Sequence, residues 1–174
     1  DFFATRTMTV SEFDAQMHKM IMRYPEQVSL VQMNFLDTHD VPRFLSYCEG
    51  DRRRLRLAYF YLFMGYGVPS VFYGDEYYIE GETENAYRSP MPWGSEDNCY
   101  DILREYAQIR KEHSAIRNGT YRTVLCQDEK GLYLFLRENE QEKILIALNN
   151  SDEEQEISDK AWRIPPMQGD IRIL

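Results

Sequence analysis

With 174 residues, 43% apolar and 14% aromatic, the chain is long enough to bury a core and to fold as one ordinary domain or two small ones. A formal charge of −9, from 20 Lys and Arg against 29 Asp and Glu, disfavours nucleic acid as a partner, and Arg52-Arg53-Arg54 reads as a solvated helix face. No apolar run reaches the roughly 20 residues needed to cross a membrane, and Cys48, Cys99 and Cys126 form an odd set without metal-ligand spacing, so reduced thiols in a cytoplasmic protein are expected instead of a disulfide framework or zinc site.

Thr9 with Glu12 has the form of a capping box, and Phe13, Met17, Met20, Ile21 and Tyr24 follow at helical spacing as far as Pro25. The Met-rich face of this helix reads as packing. Residues Val28 to Leu36 are mostly apolar, as expected of a strand covered on both faces, and His39 and Asp40 lie just past its end. Asp51 is placed to cap a second helix through Leu55, Tyr59, Leu62 and Phe63, ending at Gly65 and Gly67. Pro69 then opens a strand over Ser70 to Tyr73, and the strand, helix, strand order predicts a right-handed parallel crossover.

Gly74 to Gly94 reads as a long polar loop, a length that often carries function. Ile102, Tyr106, Ile109, His113 and Ile116 mark a third helix ended by Gly119, with His113 as part of the packed stripe. Beyond Gly119 the period changes to two: Tyr121 to Cys126, Leu132 to Arg137 and Lys143 to Asn149 are predicted strands, with turns at Asp128-Glu129-Lys130-Gly131 and Asn149-Asn150-Ser151-Asp152. The fold class is therefore α/β followed by all-β, with the change at 118–119.

Two segments carry a resemblance. Asn34-Phe35-Leu36-Asp37-Thr38-His39-Asp40-Val41-Pro42-Arg43 and Gly67-Val68-Pro69-Ser70-Val71-Phe72-Tyr73-Gly74-Asp75-Glu76 are similar to the seventh and eighth strand motifs of the α-amylase family of glycoside hydrolases. The closest likeness is to its neopullulanase, cyclomaltodextrinase and maltogenic amylase branch. The resemblance implies that residues 1–118 are the C-terminal part of a (β/α)8 barrel, from the sixth helix to the eighth. Residues 119–174 are then a small C-terminal antiparallel β-sandwich domain. A complete barrel takes about 250 residues, so the first segment does not close one alone.

The same resemblance assigns roles. Asp40 matches the third active-site carboxylate of the family, which contacts hydroxyls of the reacting sugar, and His39 matches a donor to that sugar. Arg88, in Arg88-Ser89-Pro90-Met91-Pro92-Trp93, resembles an arginine that contacts sugars outside the cleaved bond, although Glu84 stands where the branch usually has Asp. Arg43 is assigned a structural role near the site, and Asp75 and Glu76, read as strand neighbours pointing to opposite faces, are structural too. The family's nucleophile and acid/base motifs are not in this chain. They are expected upstream, and the chain alone is expected to be inactive.

No cofactor or metal is implied. The implied partners are an α-glucan oligosaccharide and, for the open barrel edge, the missing N-terminal half or a second copy. From the dipeptide alone, His39-Asp40 also fits a loop in which Asp caps and His is solvated. The alternative function is a non-catalytic amylase-like scaffold or carbohydrate-binding module, distinguished by whether the two other carboxylates exist upstream.

Overall fold

The computed structural model describes residues 1–157 and 161–174. Helix α1 (Val10–Ile21) starts on a closed capping box: Glu12 N donates to Thr9 Oγ1 at 3.2 Å and Thr9 N donates to Glu12 Oε2 at 2.9 Å. Its inner face carries Phe13, which stacks on Phe2 with ring centroids 4.2 Å apart.

Residues 28–36 do not form one strand. Pro25 instead caps a short helix, α2 (Glu26–Leu30), and the Ser29 hydroxyl donates to Ile21 O at 3.0 Å, folding that turn against the end of α1. Only β1 (Met33–Asn34) is paired. An apolar run is equally compatible with a buried helix and a buried strand, and here the proline start and the Ser29 contact favour the helix.

The partner of β1 is β2 (Val68–Pro69), parallel, with Met33 opposite Val68 and Asn34 opposite Pro69. Val68 N donates to Gln32 O at 2.9 Å and Ser70 N to Asn34 O at 2.8 Å. The missing N–H of Pro69 thus falls between the two donors that the pairing uses. Pro69 lies within the strand, and the predicted strand 70–73 has no ladder: among the described residues, β1 and β2 form a two-stranded sheet by themselves. Gly67, at φ +90°, makes the entry to β2 possible, since a Cβ there would overlap Asn34 and Gln32.

Between the two strands run α3 (Phe44–Tyr47) and α4 (Arg52–Met64). Asp51 caps α4 by accepting from Arg53 N at 2.9 Å. Leu55, Leu57, Ala58, Tyr59, Phe60, Phe63 and Met64 are all buried, which makes α4 the central helix of the molecule. The loop after β2 holds a 3-10 turn (Asp75–Tyr77) and α5 (Glu84–Tyr87). It is followed by α6 (Tyr100–Glu112) and α7 (Ser114–Asn118).

His113 is not part of one continuous stripe; it is where the predicted third helix breaks. Its ψ of 107° is extended, its Nδ1 lies 2.8 Å from Glu142 Oε2, and Glu142 Oε1 accepts from Ala115 N at 2.9 Å. The glutamate caps α7 from outside and stabilises the break.

The antiparallel part has β3 (Thr120–Gln127), β4 (Leu132–Glu138), β5 (Lys143–Asn149), β6 (Gln155–Ile157), β7 (Trp162–Ile164) and β8 (Gln168–Ile173). The first three and β8 form a four-stranded sheet in the order β3-β4-β5-β8, and β6 pairs with β7 in a separate ribbon. Alternation along the strands divides their side chains between two faces. Tyr133, Phe135, Ile144, Ile146 and Leu148 join the core built by α1, α4 and α7. Leu132, Leu134, Leu145 and Ala147 pack instead with Ile157, Trp162 and Ile164 of the ribbon. The sheet is therefore covered on both sides, and β8 approaches α4 so closely that a Cβ at Gly169 would overlap the ring of Phe60.

A buried arginine ties the two parts together. Arg137 is fully buried and donates to the carbonyls of Gly65, Met64 (3.2 Å), Gly119 (3.1 Å) and Thr120 (3.2 Å), joining the end of α4 to the start of β3. Burial lowers its pKa to about 10, which still leaves the guanidinium charged at neutral pH. All three cysteines are unpaired, and burial raises the Cys48 and Cys99 thiols to about 12 and about 11. Among the described residues, no helix is long and apolar enough to cross a membrane, and no group of three or more His, Cys, Asp or Glu is placed to hold a metal.

Candidate active-site rim

The chain leaves β1 at Asn34 and passes through residues 35–43 before re-entering a helix at Phe44. The side chains of His39 and Asp40 are 63% and 66% exposed, so both face solvent at this end of the parallel pair. They line a cleft of about 240 Å³ with Phe35, Thr38, Ser70 and Phe72, residues that follow β1 and β2. His39 Nε2 lies 3.3 Å from Asp40 Oδ2.

Arg88 reaches this pair from the loop after β2. Its Nε donates to His39 O at 2.9 Å and its Nη2 to Asp40 Oδ1 at 3.2 Å, while Nη1 lies 3.1 Å from Glu84 Oε1. The structure thus brings His39, Asp40 and Arg88 together, and Glu84, at i,i+4 on α5, meets the same guanidinium. Exposed ion pairs of this kind contribute little to stability, so the cluster is free to exchange its partners for a polar ligand.

Arg43 lies beneath the rim and is completely buried. Its Nη1 donates to Tyr73 O at 2.7 Å and to Asp75 Oδ1 at 3.4 Å, and its Nε donates to Tyr87 O at 3.0 Å. The guanidinium carbon sits 4.3 Å from the Phe72 ring centroid and 4.7 Å from that of Tyr73. Arg43 therefore holds three segments of the loop after β2 against the loop after β1.

Asp75 and Glu76 are not strand neighbours, as the sequence pattern predicted, but lie on the 3-10 turn. That turn begins at Gly74 with φ +91°, and the Glu76 carboxylate accepts from Gly74 N at 2.7 Å. Asp75 is turned inward, accepting from the hydroxyl of Tyr59 on α4. Beside it lies Asp37, also buried, whose Oδ2 accepts from Phe44 N at 2.6 Å.

Burial raises the Asp75 carboxyl to about 8, helped by the charge of Asp37, and burial raises Asp37 as well. Asp37 and Tyr59 were not singled out in the sequence. The available signal was an acidic residue closing the apolar run Phe35-Leu36, six positions before an arginine.

The chain from residue 2 to residue 130 matches the model of the alpha amylase catalytic domain, and the protein belongs to the alpha-amylase family. Among curated relatives, it is 32% identical over 153 residues to a cyclomaltodextrinase of Bacillus sp, covering 86% of this chain and 27% of that protein. It is 31% identical over 159 residues to neopullulanase 2 of Thermoactinomyces vulgaris, covering 90% of this chain and 27% of that one. The chain thus spans about a quarter of the length of these relatives.

Among solved structures, the cyclic alpha-maltosyl-(1→6)-maltose hydrolase of Arthrobacter globiformis superposes with a TM-score of 0.88 over 99% of this chain and 42% of that one. At 23% identity that likeness shows a shared fold.

Proposed function

We propose that this chain is the C-terminal part of a retaining α-glucan hydrolase acting on starch, maltodextrin, cyclodextrin or pullulan. In this reading residues 1–118 complete a (β/α)8 barrel, residues 119–174 form the appended β-sandwich domain, and Asp40 is the carboxylate that grips the reacting glucose. The observation that carries the reading is the exposed Asp40 at the end of one of two parallel strands, with His39 and Arg88 converging on it.

Retaining hydrolysis takes a nucleophilic carboxylate and an acid/base carboxyl about 5–5.5 Å apart, and hydrogen bonds to sugar hydroxyls that strengthen as the ring gains oxocarbenium character. Asp40 and His39 supply the last of these. The carboxylate accepts from hydroxyls and its charge opposes the developing positive charge, while the imidazole donates to the same sugar. Arg88 borders Asp40 and fits a sugar beyond the cleaved bond. The nucleophile and acid/base belong to the preceding part of the enzyme, and this chain alone is expected to show no hydrolysis. The unpaired cysteines fit a reducing compartment, and the cytoplasm is the proposed location.

The test is Asp40→Asn in the full-length enzyme with maltooligosaccharide as substrate. The expected loss in kcat is on the order of 10²–10³-fold, the scale seen when one transition-state-stabilising group is removed, with an unchanged circular dichroism spectrum. Turnover equal to wild type would refute the assignment.

The open side of the parallel pair supports the partner reading. A cleft of about 460 Å³ runs beside β1, lined by Phe3, Met17, Met20, Phe35, Tyr61 and Tyr66 among others. Met33 and Val31 next to it are 60% and 70% exposed. In the proposed enzyme the preceding barrel strands cover this side, and in the isolated chain a second copy does. Sedimentation of the 174-residue chain should show mass rising with concentration; a monomer at every concentration would overturn self-association.

A further inference from the structure

Asp37 and Asp75 come from the two loops that follow β1 and β2, and they are 2% and 1% exposed. Their side chains lie close enough to interact directly, and two carboxyl groups that meet in the interior do so favourably only through a proton that one of them keeps. The nearest donors are engaged elsewhere or do not reach Asp37 Oδ1, and Arg43 Nη2 is itself buried without a partner. Arg43 and the Tyr59 hydroxyl serve the two oxygens of Asp75, and Phe44 N serves Asp37 Oδ2. Asp37 Oδ1 is buried and receives no N–H or hydroxyl, and the Asp75 carboxyl is a neighbouring group able to bring it a proton.

Charge points the same way. Arg43 is the cation these carboxyls face, Tyr59 meets them from α4, and the Cys99 thiol donates to Asp75 O at 3.8 Å from the start of α6. Two buried carboxylates against one guanidinium would leave an uncompensated negative charge in the interior, which is strongly disfavoured.

We propose that Asp37 and Asp75 hold one proton between them as a buried carboxyl pair, and that this pair is the positioning element for the loop carrying His39 and Asp40. Asp37 precedes Asp40 by three residues, and its other oxygen holds the amide of Phe44, so one carboxyl closes the 37–44 loop at both ends. Asp75 and Arg43 fix that closed loop to the segment after β2, from which Arg88 reaches Asp40. The positioning role rests on the reading of Asp40 given above; the shared proton does not.

Loss of the proton places a second negative charge in the interior and loosens the loop. The sign for stability follows from the raised carboxyl. The unfolded chain releases this proton near the ordinary value of 3.8 and the folded chain at about 8, so the pair's contribution to stability is present at low pH and is lost as pH rises between them.

The experiment is an NMR titration of the 174-residue chain carrying 13C at its Asp carboxyl carbons, from mild acid to mild alkali. The Asp37 and Asp75 carbons should titrate together, the upper step lying well above the ordinary carboxyl range, and the amides of Phe44 and Val41 should shift with that same step. Independent titration of both carbons in the ordinary range would overturn the shared proton. An upper step that leaves Phe44 and Val41 unmoved would overturn the positioning role.

Asp75→Asn should erase the step at every one of these signals. If that variant does not fold, the wild-type titration alone decides. Adding a linear maltooligosaccharide and following the Asp40 and Arg88 amides tests the sugar reading separately, because failure there leaves the carboxyl titration standing.

Discussion

Arg43→Ala is expected to cost about 3–5 kcal/mol, the range for removing one partner of a buried charged pair, and urea unfolding of the chain would measure it. The guanidinium donates to Tyr73 O, Tyr87 O and Asp75 and stacks on Phe72, so truncation leaves buried acceptors without donors and opens a cavity between two aromatic rings. It also removes the cation that faces the Asp37 and Asp75 pair. Arg43→Lys should recover only part of the loss, because a compact ammonium cannot present the planar fork that reaches three segments at once. A destabilisation below about 1 kcal/mol would mean that the buried fork contributes no more than a typical neutral hydrogen bond.

Arg137→Ala is expected to be comparably severe. Four carbonyls lose their donor together, and each buried polar group left unsatisfied costs about 1–3 kcal/mol before neighbouring segments relax. The substitution acts where the end of α4 meets the first turn into the sheet, so near-UV circular dichroism should lose its tyrosine signal before the far-UV signal falls. Retention of wild-type stability would show that water or Arg110, which donates to Phe63 O at 2.8 Å and Gly67 O at 2.5 Å, takes over the role.

What could be read from the sequence divides along the distance over which a cause acts. Helices α1 and α4 were legible because Thr9, Glu12 and Asp51 carry their start signals within a few residues. Strands β4 and β5 were legible because alternation is local, even though both of their faces are buried. The run 28–36 was misread as a strand because parallel pairing comes from a partner far along the chain, whereas Pro25 and Ser29 act nearby. His113 broke a helix that its spacing continued, and the cause, Glu142, lies 29 residues away.

The candidate site follows the same division. The segment holding His39, Asp40 and Arg43 and the loop holding Arg88 stood out through their family likeness. The geometry under them did not. Asp37 looked like any acidic residue at the end of an apolar run, and Tyr59 like any core aromatic on a helix stripe. Only the packing of α4 against the two loops makes them a buried polar network.

Tyr59 and Phe60 are consecutive on α4, and they turn to opposite tasks: the first holds Asp75 beneath the rim, the second is pressed by Gly169 of the sheet. The C-terminal sheet thus packs directly behind the helix that carries Tyr59. An exchange of the C-terminal strands between related proteins would have to keep the glycine and the phenylalanine as a matched set, because a bulkier residue in the strand would meet the Phe60 ring and displace the helix that carries Tyr59.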